Sequence, residues 1–235
     1  PLGGTKVMDA ENAATEELNT IIIKAVKDSK GPINVKIGKF TIKDVVSASS
    51  QHIRNDPKAD IVLFNSKGAE VGYISHKKEG GAAGFSQYGG ISGKAKIDHI
   101  EIDSFIEAIA SELPSNTAKS GESFYRKIKD KKLINMSVYG PGYGGSLSRD
   151  NVHCIGQGNP ILYKKGTNWE LSFSESMHIN GDVKFTKIGK FVAVFGAKYT
   201  SKRQMVSKKG TVVKNIRGGI YPIAYMLGRK KLKEV

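Results

Sequence analysis

The sequence predicts a mixed α/β fold, with a basic, strand-rich extension at its C-terminal end. Three observations carry this. Apolar residues recur at helical spacing near the start and again after residue 97. Short alternating runs lie between those stretches. Past the glycine-rich break Tyr139-Gly140-Pro141-Gly142-Tyr143-Gly144-Gly145 the apolar period moves toward two. The break divides the chain into an expected α/β core over 1–138 and a basic β-rich segment over 139–235.

The elements follow in order. Asp9 to Lys27 reads as a helix, because Leu18, Ile21, Ile22, Ala25 and Val26 form one apolar stripe, and Gly31-Pro32 stops it. Ile33, Val35 and Ile37 alternate with polar residues, as in a strand. Thr41 to Ile53 is predicted as a second helix, with Thr41 and Asp44 at capping-box spacing. After the turn Asn55-Asp56-Pro57, Ala59–Phe64 and Glu70–Lys77 read as two strands joined by Ser66-Lys67-Gly68. Glu79 to Gly93 reads as a glycine-rich loop, Ile97 to Leu113 as a helix and Glu122 to Lys131 as a short basic helix. Beyond the break, strands are expected at 161–164, 169–173, 183–188, 191–199, 211–216 and 220–226. Ile188-Gly189-Lys190 and Lys208-Lys209-Gly210 are the expected hairpin turns.

Composition narrows the function. The 235 residues carry a formal net charge of +15, and 39% are hydrophobic. From Gly181 onward there are fourteen Lys and Arg against Asp182 and Glu234. Such an excess attracts phosphate backbones through counterion release, so nucleic acid is the expected partner. No apolar run approaches the roughly 20 residues that span a bilayer, so no membrane is expected. The start, Pro1-Leu2-Gly3-Gly4, gives no signal-peptide expectation. Cys154 stands alone, which excludes an internal disulfide and a multi-cysteine zinc site. His52, His76, His99, His153 and His178 show no paired zinc spacing.

The chemistry concentrates in the 57–77 hairpin. Asp60 enters its first strand and Lys77 leaves its second, so antiparallel pairing brings a carboxylate and an ammonium together. Ser75 and Lys77 are two apart and share a face, whereas His76 points to the other. A carboxylate that holds Mg²⁺ or Mn²⁺ beside a lysine is suited to phosphodiester cleavage, because Mg²⁺ keeps several waters and needs one or two carboxylates.

These residues resemble the core of the PD-(D/E)XK nuclease superfamily, which includes many type II restriction endonucleases. Asp60 matches the first acid of its pattern and Lys77 the lysine, while Glu16 or Glu17 matches the glutamate of the preceding helix. Ser75 stands where the second acid belongs. The resemblance covers roughly residues 10 to 110. It implies a restriction-endonuclease-like core, with Asp60, Glu16 and Glu17 toward the metal and Asp60, Ser75 and Lys77 in catalysis. It also implies duplex DNA as substrate, a homodimer as an allowed assembly, and the cytoplasm of a bacterial or phage-infected cell as the setting. A carboxylate replacing the one missing at Ser75 would come from Glu16, Glu17, Glu70 or Glu79.

DNA contacts are expected from Gln87 and Tyr88 in the glycine-rich loop. In the basic half they are expected from Lys198, Lys202, Arg203, Lys208, Lys209, Lys214 and Arg217. Two other readings use the same residues: a non-catalytic DNA-binding protein on a degraded nuclease scaffold, and an RNA-binding protein. The second would call for exposed aromatics, which at 8% of the chain are not abundant.

Overall fold

The computed structural model describes residues 3–50, 58–80, 98–181, 193–222 and 232–235. The predicted contacts Gln87 and Tyr88, the expected 183–188 strand and the turn at 188–190 lie outside them. The chain divides into two compact units, one formed by residues 1–84 and 139–183, the other by 85–138 and 184–235. The expected boundary at 138/139 is therefore a place where the chain rejoins the first unit, and the basic segment 139–235 is shared between the two.

The first unit is built on a long helix and one sheet. Helix α1 (Gly3–Ser29) buries Leu18, Ile22 and Ala25, one apolar stripe at i, i+4 and i+7. It stops where Lys30 takes a left-handed backbone (φ 58°) and the N–H of Gly31 reaches back to the carbonyl of Val26 at 3.1 Å. Strands β1 (Ile33–Ile37), β2 (Phe40–Ser50), β3 (Ile61–Asn65) and β4 (Glu70–Lys77) follow as consecutive antiparallel neighbours. Strands β6 (Cys154–Gln157), β7 (Pro160–Lys165), β8 (Asn168–Phe173) and β9 (Ser176–Ile179) complete the sheet. Among the described residues its order is β7-β8-β1-β2-β3-β4-β6-β9, with β1–β8 and β4–β6 parallel. Leu18 and Ile22 pack with Ile33, Val35, Ile37, Ile42, Val45, Ile61, Leu63, Ile74, Leu171 and Phe173. Each such side chain contributes about 1.5–3 kcal/mol on burial.

Over its described residues, 41–50, the helix predicted at 41–53 is instead β2. Its buried residues, Ile42, Val45 and Ala48, fall three apart because the strand is irregular. Asp44 adopts φ 62°, and the pairing with β3 shifts between Val45 and Ser47. Each extra residue resets which side chain faces inward, so a bulged strand reproduces helical spacing.

The second unit contains α2 (Ile100–Glu112), β5 (Ser123–Lys127), most of α3 (Lys131–Tyr139), β10 (Ala193–Val206), β11 (Val212–Pro222) and β12 (Lys233–Glu234). Its described strands form a sheet in the order β11-β10-β5-β12. Phe105 of α2 stacks on Phe195 of β10 at 5.5 Å between centroids. The predicted basic helix at 122–131 is strand β5, held by antiparallel pairing of Ser123–Lys127 with Val194–Lys198. The helix starts later, where Asp130 Oδ1 accepts the N–H of Leu133 at 2.7 Å as an N-cap. The two strands expected at 211–216 and 220–226 are one strand, β11, over the described residues.

Candidate active site

Strand pairing builds the site. Ile61 lies opposite Ile74, and the N–H of Asp60 donates to the carbonyl of Ile74 at 2.9 Å, which places Asp60 across from Ser75. The turn that sets this register is closed by Asn65, whose Oδ1 accepts the N–H groups of Lys67 at 3.1 Å and Ala69 at 2.8 Å. Lys77, two residues beyond Ser75, returns to the same face.

Asp60, Ser75 and Lys77 therefore converge. Asp60 Oδ2 accepts the Ser75 hydroxyl at 2.9 Å and the His76 N–H at 2.6 Å. Lys77 Nζ stands 3.6 Å from the same oxygen and donates to the His76 carbonyl at 2.9 Å. All these contacts fall on Oδ2, and among the described residues Oδ1 has no hydrogen-bond partner. Ser75 is fully buried, while the Asp60 and Lys77 side chains remain 17% and 19% exposed, open enough for a substrate to reach them.

His76 points away from this group, packed toward Phe173 at 6.2 Å between centroids. Its Nε2 meets the Gly158 carbonyl at 2.9 Å, so Nε2 carries the hydrogen, and the buried Nδ1 has no partner among the described residues. Burial pulls its pKa below the usual imidazole value, against the raising effects of the Gly158 carbonyl, Asp60 and Glu17. Gly158 itself sits at φ +84°, and a Cβ there would fall 2.2 Å from Ser174 Oγ, so this clamp on the end of β4 requires glycine.

The candidate carboxylates separate into three places. Glu16 and Glu17 are exposed on α1, and Glu17 is near enough to act electrostatically on His76. Glu70 is held by Arg149 at the far end of β4, with Arg149 Nε at 3.0 Å, and the guanidinium keeps its carboxyl below the usual range. Glu79 accepts from Ser174 Oγ at 3.3 Å. Among the described residues no three His, Cys, Asp or Glu side chains form a metal-binding group.

Strand β6 has no counterpart among the predicted elements, yet it supports the site. It runs parallel to β4 and sets Gln157 beside Lys77. Gln157 is buried, and its Nε2 donates to the Lys78 carbonyl at 3.1 Å. The signal was slight: only Val152, Cys154 and Ile155 are apolar before Gly156, and the strand is four residues long, Cys154–Gln157.

The seven basic residues expected to contact DNA lie on one hairpin of the second unit. Lys198, Lys202, Arg203, Lys208, Lys209, Lys214 and Arg217 are all exposed on β10, β11 or the turn between them. Lys198 and Arg217 lie directly opposite each other. Lys208 Nζ is paired with Asp98 at 2.6 Å.

No family model matches the chain, and no solved structure matches it. Over 182 residues, 73% of its length, the chain is 34% identical to the type II restriction enzyme CviJI of Paramecium bursaria Chlorella virus IL3A. That alignment covers 49% of the viral enzyme, so the chain spans about half the length of the curated relative it matches.

Proposed function

We propose that the chain carries the catalytic core of a metal-dependent DNA endonuclease of restriction type, a PD-(D/E)XK variant with serine at the second acidic position. The observation that carries this reading is the convergence of Asp60, Ser75 and Lys77 on one strand pair. The similarity to a type II restriction enzyme supports the same reaction class.

The donor set fits a hard divalent ion. Asp60 offers Oδ1, which no described side chain or backbone group engages, and Mg²⁺ binds with one or two carboxylates while keeping its waters. Glu17 or Glu16 is the candidate to add a second carboxylate from α1, Glu17 acting electrostatically on His76 beside the site. A bound Mg²⁺ or Mn²⁺ would polarise the phosphate and acidify a water. The chain's own groups do the rest. Ser75 and the His76 N–H fix the Asp60 carboxylate in orientation. Lys77 brings a positive charge to the same pocket, where it stabilises the charge that develops on the scissile phosphate. The +15 net charge draws duplex DNA to the chain.

A second reading, a DNA-binding protein on a degraded nuclease scaffold, is favoured by the serine and by the lack of a three-ligand acidic group among the described residues. Plasmid incubated with Mg²⁺ or Mn²⁺ separates them. Cleavage that disappears in Asp60→Ala and Lys77→Ala while DNA binding persists supports the enzyme. Binding without cleavage in either metal supports the scaffold.

A further inference from the structure

The hairpin of β10 and β11 carries an irregularity in its pairing. Tyr199 pairs with Ile216, and the next pair is Gln204 with Lys214. Thr200, Ser201, Lys202 and Arg203 thus stand against Asn215 alone. Lys202 (φ 62°) and Asn215 (φ 55°) both take left-handed backbones without being glycine. Bulges of this kind re-aim side chains, and such backbones persist where surrounding structure enforces them.

The surroundings do enforce them. Met205, Val213 and Ile216 are buried on the inner face of the hairpin. Its tip is tied to α2: Glu107 accepts the Ser207 hydroxyl at 2.5 Å and the Thr211 hydroxyl at 2.9 Å, and Asp103 accepts the Lys208 N–H at 2.9 Å. The pairing of β5 with β10 ends at Lys198; beyond it, among the described residues, the two strands form a ribbon flanked at Lys214, which bridges Thr117 and whose carbonyl accepts the N–H of Ala118 at 3.1 Å. The outer face of that ribbon exposes Lys198 and Arg217 on one side of the bulge and Gln204 and Lys214 on the other, with Lys202 and Arg203 between them. Neither strand contains an acidic residue.

A rigidly backed ribbon with an all-cationic or neutral face matches the major groove, which is wide enough for two strands. We propose that this bulge is the base-reading element of the chain. Arg203 and Gln204 address purine edges in duplex DNA, Arg203 as a bidentate donor to guanine and Gln204 to adenine. Lys198, Lys202, Lys214 and Arg217 grip the flanking phosphates. Lys208, neutralised by Asp98, takes no part. The inference rests on the reading of the chain as a DNA endonuclease, and it names how that activity selects its site.

The test is selection from a pool of duplexes with a randomised central segment, followed by salt-dependent binding to a preferred and a non-preferred duplex. Arg203→Ala and Gln204→Ala should each reduce discrimination by about tenfold to a hundredfold at one or two positions. Arg203→Lys should relax the same position with an unchanged salt slope, because it keeps the charge and loses the fork. Lys198→Ala and Lys214→Ala should weaken both duplexes alike and lower the salt slope by about one. The inference is overturned if the unaltered chain selects no sequence, or if Arg203→Ala and Gln204→Ala, melting as the parent does, keep its preference. A chain that binds no duplex at all overturns the endonuclease reading itself, a distinct result.

Discussion

His153 makes the first unit sensitive to mild acid. The ring is buried between Phe40, edge-on at 5.2 Å, and Tyr73, stacked at 5.9 Å. Its Nδ1 accepts the N–H of Tyr73 at 3.1 Å. Burial lowers its pKa from 6.5 to about 4. A depressed imidazole pKa means that the unfolded chain binds the proton more tightly. Its contribution is therefore intact above pH 6.5 and is lost as pH falls toward 4. The full loss is about 3 kcal/mol at 1.36 kcal/mol per unit, and about 2 kcal/mol of it is gone by pH 5. Urea unfolding at pH 7.5 and pH 5 measures this before most carboxylates titrate. His153→Asn keeps an acceptor for Tyr73 and removes the titration. Its stability should change by about 2 kcal/mol less between the two pH values than that of the parent. His76 is depressed in the same direction, but it is common to both proteins and cancels in the comparison. Equal acid sensitivity in parent and variant would refute the assignment.

Two further perturbations follow from packing and capping. A Cβ on Gly156 would lie 2.2 Å from the ring of Phe173, so Gly156→Ala should destabilise by about 1–3 kcal/mol, with Phe173→Leu restoring part of the loss in a urea melt. Asp130 caps α3 through the N–H of Leu133, and Asp130→Ala should cost about 1 kcal/mol, measured the same way.

The hairpin that carries Asp60, Ser75 and Lys77 was legible because everything that shapes it is local. The apolar run over 59–64, the strand-forming run over 70–77 and the Asn65–Ala69 turn act within twenty residues. The stripe of α1 was legible for the same reason. Strand β2 was not, because its bulges place Ile42, Val45 and Ala48 at a spacing that a helix also gives. Strand β5 was hidden differently: Ser123–Lys127 gains its pairing from β10, about seventy residues away in sequence, and nothing in its own pattern signals that partner. The roles of the acids of α2 were not legible either: Asp103 and Glu107 hold the tip of the β10–β11 hairpin, and Glu101 accepts the N–H of Asp130 at 2.9 Å. Around the candidate site, the clamp from Gln157 and Gly158 escaped notice because β6 is short and joins β4 from far along the chain.

The most direct measurement is Mn²⁺ binding and single-turnover duplex cleavage by the parent, Asp60→Asn and Lys77→Met. If Asp60 holds the ion and Lys77 serves the phosphate, Asp60→Asn loses both Mn²⁺ affinity and cleavage, whereas Lys77→Met loses cleavage and still binds Mn²⁺. Cleavage by Asp60→Asn at the parent's rate would place the reaction elsewhere in the chain.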